Sequence, residues 1–401
     1  MVNIMKIFLS LFILITFFSN TKAQNEMENI NTIIQNVKNQ FSPDKRTSIF
    51  NVEAIKENDK IILKGETNIS NAKTELLKIL SEQKIDIENE IEFLPSKFLG
   101  DKTFGVINLS VANLRSKPDH AAELVTQAIL GTPIKVLKKG EDGYYLVQTP
   151  DNYIAWLDDD GFEFKTQSEL NEWNQSPKII YTKAFGFSYS EADDKSQPVS
   201  DLVAGNLLKI FGEDSNYYLV EYPDGRKAYI KIDEAKLFND WYSSLNPNGD
   251  TILKTAYRFM GIPYLWGGTS TKGMDCSGFT KTVYFLNGIV LQRDASQQVN
   301  TGELVDVKNG WENLQAGDLL FFGRKAEGDK KEKVTHVAIY IGDGDFIHAA
   351  GRVRINSLNP AKTYYSKYRD NSFIRAKRIL TSLGKNGIER ILENSFYKIL
   401  K

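Results

Sequence analysis

The sequence predicts an α+β chain of several compact parts, and three observations carry that prediction. A strand pattern rich in tyrosine, Gly143-Tyr144-Tyr145-Leu146-Val147-Gln148-Thr149-Pro150-Asp151, returns 73 residues later as Asn216-Tyr217-Tyr218-Leu219-Val220-Glu221-Tyr222-Pro223-Asp224. Ahead of each copy, Gly131-Thr132-Pro133-Ile134-Lys135-Val136-Leu137 matches Gly205-Asn206-Leu207-Leu208-Lys209-Ile210-Phe211. Short strands broken by Gly, Pro-Asp and Asn turns read as two small β-barrels. The last third of the chain differs. There a helical pattern after the single cysteine is followed by two apolar strand runs, each carrying one of only three histidines.

The elements follow in order. Lys6 precedes the apolar run Ile7 to Phe18, and the small residues Thr21 and Ala23 mark a cut after Ala23, so residues 1–23 read as an export signal. The run is shorter than the roughly 20 residues that a membrane span needs. The mature protein is therefore expected to be exported, periplasmic or extracellular, with no membrane span once the signal is removed; an uncleaved anchor is the alternative. One cysteine excludes an internal disulfide and flags a reactive thiol. A net charge of −1, with 41% hydrophobic and 25% charged residues, excludes the electrostatic footprint of a nucleic-acid binder.

Residues 24–46 are polar and read as a leader or linker within a segment, 24–100, that also holds a small α/β unit. Its hairpin comes from Phe50 to Ile55 and Ile61 to Gly65, and Asn71 is expected to cap a helix with Leu76, Leu77, Ile79 and Leu80 on its apolar face. The barrels are assigned to 101–165 and 175–240, each closing on an aromatic, Trp156 and Tyr229. A loose stretch at 243–249 leads into a domain over 250–380, with a helical extension over 381–401.

Cys276 precedes a helical pattern in which Phe279, Val283 and Leu286 share one face and Gly288 ends the helix. A thiol in the first turn meets free amides and the positive dipole end, which lower its pKa and offer an oxyanion hole. Gly278 and Gly267-Gly268 are expected to keep bulk away from a substrate. His336 and His348 lie on strands joined by Gly342-Asp343-Gly344. A three-residue loop pairs Ala338 with His348 and puts both imidazoles on one face; a two-residue loop puts them on opposite faces. In the first register His336 takes the thiol proton and His348 orients it. A zinc site from these three residues lacks close ligand spacing, the Gly-Asp-Gly-Asp turn lacks a calcium pattern, and no cofactor is implied. His120 reads as a surface residue of the first barrel.

Tyr264-Leu265-Trp266-Gly267-Gly268, Asp275-Cys276-Ser277-Gly278-Phe279, Gly317-Asp318-Leu319-Leu320-Phe321-Phe322, His336 to Gly342 and Ile347-His348-Ala349 together resemble the NlpC/P60 family over about 130 residues. The resemblance implies a papain-like catalytic domain with Cys276 as nucleophile, His336 as general base, His348 as the third residue and Tyr264 close to the thiol. It implies a structural role for Gly317-Asp318. The two repeats, opened by Asn113 to Pro118, resemble bacterial SH3 (SH3b) domains. The whole architecture is similar to the γ-D-glutamyl-L-diamino acid endopeptidases. That implies peptidoglycan-derived peptides with a free N-terminal L-Ala as partners, hydrolysed through a thioester without metal, with the first barrel walling off the cleft. A buried ammonium needs carboxylates and a hydroxyl or carbonyl acceptor; the candidates are Asp294, Glu123 and Tyr153, whose counterpart in the second repeat is Arg226. Asp275 and Ser277 are expected to hold the D-Glu part. The alternatives are an endopeptidase acting on intact peptidoglycan stems and a non-catalytic wall-binding protein. The identity of the diamino acid and the oligomeric state stay open at this stage.

Overall fold

The computed structural model describes residues 25–58, 60–385 and 387–398; the expected export signal lies outside them. Two compact units divide the chain, with the boundary between Phe98 and Leu99.

In the first unit the polar-looking leader is a helix over residues 25–41. Ile30, Ile33, Ile34 and Val37 recur at helical spacing, and all are buried against Leu63, Leu76 and Leu80. This corrects the linker reading: overall polarity hid a regular apolar stripe. The hairpin forms from Phe50–Glu57 and Lys60–Thr67, and a third strand, Ile87–Phe93, adds parallel to the second. The connecting helix is Ser70–Glu82, with Ile69 at its N-cap and no side-chain cap. Asn71 lies exposed inside the first turn, two positions past the N-cap.

The second unit holds both barrels and the mixed domain. Each repeat closes a seven-stranded sheet. The tyrosine motifs form the strands Tyr144–Gln148 and Tyr217–Glu221, flanked by Pro133–Lys139 and Leu207–Asp214. The repeats lie back to back: Leu207 N–H donates to Leu130 O (3.0 Å) and Asn206 Nδ2 to Ser110 O (3.0 Å).

The mixed domain begins at the helix Gly249–Tyr257, capped by Asn248 through a 3.1 Å bond from Thr251 N–H. Its six-stranded sheet runs in the order Glu303–Val305, Phe373–Arg378, Leu319–Arg324, Lys333–Gly342, Asp345–Ala350, Arg352–Ser357. The helix Cys276–Phe285 packs on this sheet by Phe279 and Val283, both fully buried beside Val337, Ile339 and Ile347. Gly288, at φ 80°, ends it as expected. Asp318 accepts two 2.9 Å bonds from Arg378, in keeping with a structural role.

Among the described residues the expected C-terminal helical extension is reduced to the 3-10 turns Leu380–Ser382 and Ile391–Glu393. Gly384 and Gly387 take positive φ, and Glu389–Arg390 pairs with Ile289–Val290 as a short strand. Ile391 and Phe396 are then buried, and Asn394 Nδ2 donates to Pro150 O of the first barrel (2.8 Å). Tertiary contacts override the local helical pattern. No helix among the described residues is long and apolar enough to cross a membrane.

Candidate active site

Cys276 opens its helix as the first helical residue, directly after the N-cap Asp275. The Asp275 carboxylate accepts from Gly278 N–H (2.7 Å), Gly267 N–H (3.0 Å) and two arms of Arg293 (2.5 and 3.1 Å). Ser277 Oγ donates to Asp275 Oδ1 (3.2 Å) and accepts from Arg293 (3.0 Å). Both side chains are buried, and their bonds hold the helix start, the 267–268 loop and Arg293 together. Gly278 is also a packing residue. A Cβ there would meet Gly268 O at 2.0 Å, so glycine lets the 267–268 loop lie against the helix start rather than clearing room for substrate.

The histidine hairpin corrects one detail of the expected turn. Tyr340 pairs with Phe346, but Gly342 pairs with Asp345, which leaves a two-residue turn, Asp343-Gly344, with both residues at positive φ. Such turns match the strand twist. A bulge between Tyr340 and Gly342 absorbs the one-residue slip and restores the upstream register. The imidazoles therefore share a face, and His336 Nε2 lies 2.7 Å from His348 Nδ1.

A residue that the sequence reading missed sets the tautomers. Asn356 Nδ2 donates to Tyr364 O (3.0 Å), which turns its Oδ1 toward His348 Nε2 (3.0 Å). His348 Nε2 must then carry the proton, its Nδ1 accepts from His336 Nε2–H, and His336 Nδ1 is left with a lone pair. That is the tautomer a base needs. Phe322 and Phe346 pack against the two rings at 5.9 and 5.0 Å and keep the pair dry.

The sulfur lies by the His336 strand, where the Val337 N–H favours its charged form. Burial nevertheless dominates and, with the Asp275 charge, pushes the thiol up to about 11. Burial likewise holds His336 well below 6.5, helped by Arg369, and lowers His348 to about 3. Burial thus favours the thiol and the neutral imidazole in the free protein, against the thiolate expected from the helix end alone. Tyr264 is half-buried, and burial and the nearby Cys276 raise its pKa.

The first barrel meets the domain beside this site. Arg293, 1% exposed, donates Nε–H to Thr126 Oγ1 (3.0 Å), while Gln127 accepts from Thr269 N–H (3.0 Å). Trp266 Nε1–H donates to Glu123 Oε1 (2.8 Å). Asp294 caps the short helix Ala295–Gln298 with its carboxylate 3.8 Å from Arg293, and buried Tyr153 lies within the electrostatic reach of the same guanidinium. Asp294 and Tyr153 thus lie by Arg293, whereas Glu123 is exposed and lies by Trp266. Trp266 stands inside a quoted motif and Arg293 directly before Asp294, but neither was given a role from the sequence. His120 is a surface residue, bonded to Tyr144 OH at 2.8 Å.

The NlpC/P60 family model matches residues 261–375, and the model of the bacterial dipeptidyl-peptidase Sh3 domain matches residues 114–162. A gamma-D-glutamyl-L-lysine dipeptidyl-peptidase of Bacillus cereus is 34% identical over 258 residues, covering 62% of this chain and 74% of that protein. Dipeptidyl-peptidase 6 of Lysinibacillus sphaericus is 26% identical over 269 residues, covering 65% of this chain and 93% of that protein. The crystal structure of an NlpC/P60 family protein from Bacillus cereus superimposes with a TM-score of 0.59 at 28% identity, covering 69% of this chain and 99% of that one. With its barrels, its cysteine helix and its paired histidines in this order, the chain belongs to the NlpC/P60 family of cysteine peptidases.

Proposed function

We propose that the protein hydrolyses the bond between γ-D-Glu and a diamino acid in cell-wall muropeptides that begin with a free L-Ala. In this reading Cys276 is the nucleophile, His336 the base and His348 with Asn356 its orienting relay. Substrate binding brings the γ-carbonyl carbon to Sγ. The thiol proton passes to His336 Nδ1 as sulfur attacks, and first-turn amides receive the oxyanion. His336 then protonates the leaving amine, the C–N bond breaks, and a thioester of L-Ala-γ-D-Glu remains. Water, deprotonated by His336, attacks that thioester and frees the thiol.

The observation that carries the substrate reading is the barrel's seat beside Asp275, through the Arg293–Thr126 and Trp266–Glu123 bonds. In this reading Glu123 beside Trp266, and Asp294 and Tyr153 beside Arg293, serve as acceptors for an ammonium group. The relatives named as gamma-D-glutamyl-L-lysine dipeptidyl-peptidases support the same substrate class. The test is mass spectrometry of L-Ala-γ-D-Glu-meso-diaminopimelate beside its N-acetylated form. Cleavage of the free-amine peptide alone is expected; equal cleavage of both would overturn the amine pocket and favour action on intact stems. Export is part of this proposal, resting on residues 1–23; N-terminal sequencing of protein recovered outside the cytoplasm, starting at Gln24, would support it, and an intact Met1 would refute it.

A further inference from the structure

Two arginines flank the thiol, and they differ in one respect. Arg293 is committed to Asp275, Ser277 and Thr126. Arg369, half-buried in the helix Lys367–Ser372, makes no ion pair and no side-chain hydrogen bond among the described residues. Its guanidinium carbon sits 5.7 Å from the Phe322 ring centroid and 5.2 Å from that of Tyr368, and Phe322 in turn packs on His336. The neighbouring carboxylate, Asp370, is engaged by Tyr365 OH (2.7 Å). Arg354, exposed, stands directly across the strand pair from His348 and is likewise unpaired among the described residues. The two charges repel each other, and that of Arg369 is felt at Cys276, Tyr264 and both imidazoles.

A half-buried guanidinium with no counter-ion is costly, and proteins pair such groups. Here the missing partner is an anion that arrives at the reacting atoms. With the ammonium assigned, in the reading above, to Asp294 and Tyr153 beside Arg293, the leaving side of the scissile bond is the part of the substrate left for Arg369. The residue that leaves carries an α-carboxylate two bonds from the scissile nitrogen, and diaminopimelate carries a second carboxylate at its far end.

We propose that Arg369, with Arg354 beside it, is the specificity-determining site for a carboxylate on the leaving diamino acid. The inference rests on the peptidase reading above and deepens it. Planar guanidinium groups suit such recognition, and Lys does not replace their fork.

The test uses four peptides on the mature protein and on Arg369→Gln and Arg369→Lys: L-Ala-γ-D-Glu followed by L-Lys or meso-diaminopimelate, each with its α-carboxylate free or amidated. An α-carboxylate ligand predicts that amidation lowers kcat/KM about 10- to 100-fold for both diamino acids, mostly through KM. A distal-carboxylate ligand predicts instead that amidated diaminopimelate outperforms amidated lysine by a similar factor. In either case Arg369→Gln erases the difference and Arg369→Lys restores only part of it. Equal cleavage of all four peptides by the unaltered protein overturns the proposal while leaving the peptidase reading intact. Cleavage of none overturns both.

Discussion

Asn356→Leu is the sharpest test of the relay. The amide is locked by its 3.0 Å bond to Tyr364 O, and its Oδ1 is the sole acceptor shown for His348 Nε2–H. With leucine there, the buried His348 has two options. It can keep Nε2–H without a partner, which costs about 1–3 kcal/mol. Or it can move the proton to Nδ1, which then faces His336 Nε2–H across 2.7 Å. To relieve that clash His336 must carry its proton on Nδ1 and so ceases to be a base toward the thiol. At about 1.36 kcal/mol per factor of ten, either route lowers kcat on the order of 10- to 100-fold with KM little changed. Asn356→Asp keeps an acceptor for Nε2–H and is expected to retain more activity. The assay is kcat and KM on the free tripeptide, with the iodoacetamide labelling rate of Cys276 as a second readout. A leucine variant within about threefold of the parent kcat, or an aspartate variant worse than leucine, would refute the tautomer argument.

Four further outcomes follow from the same geometry. Labelling of Cys276 in the free protein should climb with pH toward about 11 rather than reach a plateau near neutrality, because burial holds the thiol protonated; a plateau between pH 5 and 8 would mean a resting thiolate. His348, held at about 3 against 6.5 unfolded, contributes stability that is full above pH 6.5 and is lost as pH falls toward 3, since the unfolded chain binds the proton first; urea titrations that give equal stability at both ends of this window for the parent and His348→Gln would contradict it. Phe396→Ala should cost about 3–5 kcal/mol by emptying a buried ring site under Lys135, read by chemical denaturation, and an unchanged midpoint would show that the tail is dispensable. Gly278→Ala should slow turnover and cost about 1–3 kcal/mol, because the new methyl must displace the Gly268 carbonyl; parental activity and stability would remove that packing role.

What the sequence made legible was local. The cysteine's helix reads from Phe279, Val283 and Gly288 because a helix repeats within its own length, and the histidine strands read for the same reason. The hairpin turn did not, because Ile341-Gly342-Asp343-Gly344 serves a two- or a three-residue loop equally well, and a bulge decided which residues pair. Asn356 and Arg293 were hidden for a different reason. Asn356 acts from the next strand over, and the partner of Arg293 on the first barrel is 167 residues away, so neither contact exists until the sheet and barrel are assembled. The helix over 25–41 was legible in Ile30, Ile33, Ile34 and Val37 and was obscured only by the polar residues between them. The C-terminal segment was not legible as it stands, because its short strand exists only by pairing with Ile289–Val290.

The two repeats show how one fold divides framework from recognition. The first barrel is built into the site rather than appended to it: Gly267 has no room for a Cβ beneath Leu124 O (2.4 Å), and Gln127 receives bonds from Thr269 and Ser270. Residues that shape the cysteine's loop therefore depend on the barrel for their positions. The second barrel stands behind the first. Asp201 is held by Lys272 (2.5 Å) and by Ser110 (2.8 Å), and Asn206 bonds the Ser110 carbonyl. One carboxylate of the second barrel thus bonds both the first barrel and the catalytic domain. The divergence at one repeat position follows from this division. Tyr153 is buried near Arg293, whereas its counterpart Arg226 stacks on Tyr222 and bonds Asp224 within its own barrel. The same repeat position thus packs toward the catalytic domain in one copy and closes its own turn in the other.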